Sequence, residues 1–92
     1  MKKVVINDIE YIVEKDYKNG FDLQMVVDLC TDYFSEFDYI FGDFSYDKLR
    51  LKGFYDADNK KKTKINDIDS LDDYINNYCS YECRYFLLKK VK

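Results

Sequence analysis

Residues 38–55 read DYIFGDFSYDKLRLKGFY, two runs of aromatic and branched residues around a turn over Gly42 to Asp47. Such runs, joined by turn-forming residues, predict a β-hairpin. Successive side chains of a strand point to opposite faces, so Leu49 and Leu51 share one face and Lys48, Arg50, Lys52 and Phe54 the other. The second face is basic and ends in an aromatic ring. Asp43 and Arg50 flank the turn, close enough to pair and hold the hairpin.

Toward the N-terminus, Leu23, Val26, Val27, Cys30, Tyr33, Phe34 and Phe37 recur at steps of three and four. This spacing predicts a helix over 22–37 with one packed stripe, Cys30 within it, and with Asp22 placed to cap its start. Earlier still, residues 3–6 (KVVI) and 9–14 (IEYIVE) flank Asn7-Asp8, a pair that tolerates the positive φ of a tight hairpin turn. Ile9, Tyr11 and Val13 then face one way while Glu10 and Glu14 face the other. Beyond the central hairpin, residues 56–64 (DADNKKKTK) hold almost nothing apolar and read as an exposed loop. Ser70-Leu71-Asp72-Asp73 fits a capping box, followed by a helix packing through Leu71, Tyr74, Ile75 and Tyr78. The run from Tyr85 to Leu88 predicts a last strand buried on both faces. The element order is ββαββαβ: two β-hairpins, two helices and a C-terminal strand in a single small α+β domain over residues 1–92.

Ninety-two residues support one core. The opening MKKVVIND breaks its apolar run after four residues, short of a signal peptide's core. No run suits a membrane span, and no basic amphipathic face suits a membrane surface, so a cytoplasmic protein without a membrane partner is expected. The three cysteines, an odd number, read as reduced thiols. Cys79-x-x-x-Cys83 supplies two of the four ligands that tetrahedral zinc needs. Packed thiols are the preferred reading, a disulfide between these two next and a metal last, so no metal or cofactor is expected.

The sequence contains no histidine, which removes Ser-His and Cys-His nucleophile pairs. Asp67, Asp69, Asp72 and Asp73 sit at a predicted helix start, where capping accounts for them, and three glycines form no phosphate loop. No catalytic residue is expected. The net charge of −3 opposes a general nucleic-acid binder, DNA above all. Its distribution is uneven, however: Lys48, Arg50, Lys52, Phe54, Lys60, Lys61, Lys62 and Lys64 form a candidate partner-binding surface. Arg and aromatic residues concentrate binding energy at protein interfaces, whereas basic groups beside an exposed ring can hold phosphates and stack a base. A non-catalytic protein-interaction module with an unidentified protein partner is the first reading, and an RNA-binding module the alternative. Aromatics are 18% of the chain, so some of Tyr39, Tyr46, Tyr55 and Tyr81 should stay partly exposed.

Two segments, residues 38–55 and YCSYECRYFLLKK at 78–90, resemble the signature blocks of the YutD-like family of small bacterial proteins. The string G-D-aromatic-x-Y-x-x-L-R-L-basic-G-aromatic is long and unusual. Phe44 stands where the family commonly has tryptophan, and Ser45 and Glu82 where glycine is common. The resemblance implies a compact α+β fold in cytosolic proteins of Gram-positive-type bacteria, and it brings no functional residue with it.

Overall fold

The computed structural model describes residues 2–18, 20–45, 48–78 and 84–91. Strands β1 (Lys2–Ile6), β2 (Ile9–Tyr17), β3 (Tyr39–Ser45), β4 (Lys48–Phe54) and β5 (Tyr85–Lys90) form one antiparallel sheet in the order β1-β2-β5-β3-β4. Helix α1 (Leu23–Leu29) lies on one face and α2 (Leu71–Tyr78) on the other. The α+β class and the order ββαββαβ are those read from the sequence.

The chain's last strand becomes the sheet's middle one. Phe86 and Leu88 point toward α1 and pack with Ile6, Tyr11, Val26 and Ile40, while Leu87 points toward α2 and packs with Phe41, Phe54 and Leu71. Gly42, expected in a turn, lies instead within β3 opposite Phe86. A methyl group built on Gly42 would overlap the Phe86 ring. The ring fills the space that a side chain would need, which is why glycine stands there.

Asn7 and Asp8 take φ of 53° and 66°, the left-handed pair of a type I′ turn, and Asp22 caps α1 by accepting from the Met25 amide at 3.2 Å. The predicted helix over 22–37 is broken, however. It stops at Cys30, and a separate 3₁₀ turn covers Asp32–Glu36. Asn7 Nδ2 donates to the Cys30 carbonyl at 3.0 Å, taking up an oxygen that another helical turn would have used, and Thr31 is extended. Because α1 is short, only Val26 of its residues is buried; Leu23 and Val27, assigned to the packed stripe, are exposed, as is Tyr33.

The capping box at Ser70 also takes another form. A 3₁₀ turn, Ile68–Ser70, precedes α2. Asp67 caps it by accepting from the Asp69 amide at 3.0 Å, and the Ser70 hydroxyl donates back to the Asp67 carbonyl at 2.7 Å. The Asp69 amide, with Lys62, holds the Asp67 carboxyl below the usual range.

The fit of Phe86 over Gly42 is testable by urea denaturation. Gly42→Ala should cost about 2 kcal/mol through overpacking. In a Phe86→Leu background the same substitution should cost about 1 kcal/mol less, because the two sites share one space.

Candidate functional site

The aromatic end of the basic face of β4 is covered rather than open. Phe54 is fully buried, edge-on to Phe41 and Tyr74, and this corrects its reading as an exposed anchor: alternation assigns its face, but α2 lies over that face. Lys52 is half-buried with its ammonium 5.4 and 5.5 Å from the Phe54 and Tyr74 ring centres, within cation–π range. Arg50 forms the expected pair with Asp43 in a forked contact, Nη2 to Oδ2 at 2.6 Å and Nε to Oδ1 at 3.3 Å. Asp43 is 1% exposed whereas the Arg50 side chain is 47% exposed, so the guanidinium satisfies a buried charge while its outer edge faces solvent. Of the four tyrosines among which some were expected to be partly exposed, Tyr39 and Tyr55 are buried. Their hydroxyls have protein partners, Tyr55 donating to Glu36 Oε1 at 2.6 Å. Tyr46, Tyr81, Cys79 and Cys83 lie outside the described residues.

Lys48, Lys60, Lys61, Lys62 and Lys64 are exposed. Lys62 pairs with Asp67 at 3.3 Å. The loop that carries the last four is tied down: buried Asp38 accepts from the Asp56 amide and Asn59 Nδ2, and Asn66 Oδ1 accepts from the Thr63 amide and hydroxyl. Past the end of β4 the chain returns so that the Tyr55 amide donates to Asn66 O at 2.6 Å and the Ile68 amide to Tyr55 O at 2.9 Å.

Those two bonds reveal the orientation of the β4 edge. Asp38 O accepts from the Lys90 amide and the Phe44 amide donates to Arg84 O, so the even-numbered residues of β3 bond to β5. The odd ones, Tyr39, Phe41, Asp43 and Ser45, bond to Phe54, Lys52, Arg50 and Lys48. The backbone groups of Leu49, Leu51 and Gly53 therefore point away from the sheet, as those of Tyr55 do. Residues 66–68 take up Tyr55; among the described residues nothing takes up the other three.

Two clefts meet at this edge. One, of about 460 Å³, runs between Tyr33, Phe34 and Phe37 and the opposite wall of Ile65, Asn66 and Tyr74, with Arg50 to Gly53 as its floor. The other, of about 490 Å³, continues toward α2 along Lys52, Lys64, Ser70, Asp73 and Asn77, sharing Ile65 and Tyr74 with the first. Ile65 and Tyr33 are 73% and 66% exposed. The structure thus lines one cleft with Arg50 and Lys52 and the other with Lys52 and Lys64, buries Phe54, and sets Lys48, Lys60, Lys61 and Lys62 outside both clefts. Sequence reading missed Tyr33, Ile65 and the backbone edge. Ile65, apolar within a polar loop, was the one available signal.

Among the described residues no cluster of His, Cys, Asp and Glu is able to hold a metal ion, and no helix is long and apolar enough to cross a membrane. Cys30 is buried, as the sequence implied, and burial pushes its thiol up.

The YutD-like family model, described as "Putative antitoxin YutD-like", matches residues 5–89. The chain belongs to the YutD-like family. The protein called "Putative antitoxin YutD" from Bacillus subtilis (strain 168) is 38% identical over 89 residues, covering 97% of this chain and 98% of that one. The solution NMR structure of B. subtilis protein yutD superposes with a TM-score of 0.83 at 37% identity, covering 100% of this chain and 84% of that one. Both signature segments quoted from the sequence lie within or at the limits of the YutD-like match. In the folded chain the first of them supplies β3 and β4, and the second supplies β5.

Two outcomes test these contacts. Arg50→Ala should lower stability by about 3 kcal/mol, since it removes the forked cationic partner of a buried carboxylate. Asp43→Asn combined with Arg50→Ala should cost less than the sum of the single changes in urea denaturation. Tyr11 is pushed up to about 12, mainly by burial, and Tyr55 to about 12, mainly by its hydrogen bond to Glu36. An unfolded tyrosine ionises near 10. Folding stability from both groups is therefore full below that pH and is lost as pH rises through the folded values. Denaturation midpoints should fall between roughly pH 10 and 12, and less steeply in Tyr55→Phe.

Proposed function

We propose that this protein is a cytoplasmic, non-catalytic binding module whose partner is another protein, held in the groove along the β4 edge. The observation that carries this reading is the row of outward backbone groups at Leu49, Leu51 and Gly53, the last two on the floor of a cleft walled by exposed Tyr33 and Ile65. Backbone donors and acceptors at a sheet edge, flanked by pockets for alternate side chains, form a recurring way of capturing protein segments. The name antitoxin carried by the B. subtilis relative describes a protein that counters another agent. In this reading the chain does so by occupying a surface of that agent. The RNA reading loses its stacking platform, because Phe54 is buried.

Site-specific photocrosslinking tests this. With benzoylphenylalanine in place of Ile65, expressed in B. subtilis, a discrete nuclease-resistant protein adduct is expected. The same group in place of Val5, exposed on β1, should give none. A nuclease-sensitive adduct, or equal adducts from both positions, would remove the proposal.

A further inference from the structure

We infer that the occupant of the β4 groove is an extended segment of the partner protein, added as a sixth strand, whose side chains alternate between acidic and apolar. This rests on the protein-binding reading above and adds the chemistry of what is bound. Leu49, Leu51 and Gly53 offer their amides and carbonyls every second residue, the spacing at which a neighbouring strand makes its bonds. The free edge ends at Gly53, because residues 66–68 already occupy the next position at Tyr55. The site thus accepts a short strand, with its end set by the chain's own loop.

Alternation in the guest follows from alternation in β4. Guest side chains on the α2 face meet Arg50, Lys52 and Lys64, and those on the opposite face meet Leu49, Leu51 and Tyr33. Lys48, Lys52 and Lys64 form no ion pair with any described residue; Asp73 is the carboxylate lining the second cleft. Carboxylates on one side of the guest and apolar groups on the other suit these surroundings. The same charges disfavour a second copy of this chain. Two β4 edges paired antiparallel about Leu51 would set Arg50 directly opposite Lys52, like against like.

An acetylated, amidated peptide of alternating valine and glutamate is the probe, titrated into ¹⁵N-labelled protein at low salt. Its valine–lysine counterpart is the control. The glutamate peptide should shift the Leu49, Leu51 and Gly53 amides and slow their hydrogen exchange by about fivefold or more, while Arg50 and Lys52, already bonded to β3, change little. Lys52→Glu should weaken binding by about fivefold. Leu51→Pro, which removes an outward donor and no ladder bond, should abolish the edge shifts while the remaining spectrum stays folded. Equal binding of the lysine peptide would overturn the charge assignment. Silence at the edge amides, or edge shifts that depend on the concentration of the free protein alone, would overturn strand addition by a partner. If the Ile65 crosslink persists while the peptide is silent at the edge, protein binding stands and this inference falls.

Discussion

Everything in this molecule hangs on β5 being buried from both sides. A strand that sheds Phe86 and Leu88 onto one face and Leu87 onto the other joins two layers of apolar packing into a single unit. Each hairpin alone offers a single-sided ribbon, marginal in water. The fit of the Phe86 ring over Gly42 fixes how β3 lies against β5, because a shift by one residue would turn every side chain of β5 to the wrong face. Since β3 is held in that way, β4 can sit at the edge with Asp43 buried against Arg50.

Much of this frame was legible from side-chain patterns. Asn7-Asp8 announced its turn, Ile9, Tyr11 and Val13 their shared face, and the run from Tyr85 to Leu88 its two-sided burial. The strand order was not legible, because pairing between β2, β5 and β3 links residues about seventy and forty-five apart that carry no local mark of their partners. The break after Leu29 escaped for the same reason. The apolar spacing through Phe37 is real, but the group that ends the helix, the Asn7 side chain, lies 23 residues earlier.

The candidate surface was readable only in part. Lys48, Arg50 and Lys52 were placed correctly on one face of one strand, and the Asp43–Arg50 pair was anticipated from its position across the turn. Phe54 was placed on the right face and given the wrong surroundings, because alternation says which way a ring points and nothing about what covers it. The outward-facing edge at Leu49, Leu51 and Gly53 belongs to the backbone, which every residue shares, so no residue type could have advertised it. That edge is also where a β protein most risks indiscriminate pairing, and lysines beside it are a common safeguard. Here Lys48 and Lys52 stand on the edge strand itself.

The placement of β5 bears on how the protein comes into being. Both hairpins leave the ribosome before the strand that must lie between them, so a nascent chain carrying residues 2–54 holds two half-sheets with no common partner. Their facing edges are β2 and β3, each with unpaired groups and an apolar side awaiting Phe86, Leu87 and Leu88. Until synthesis passes Lys90 those edges stand open to any other extended chain. Aggregation of this chain is therefore a matter of the interval between synthesis of residue 54 and of residue 90.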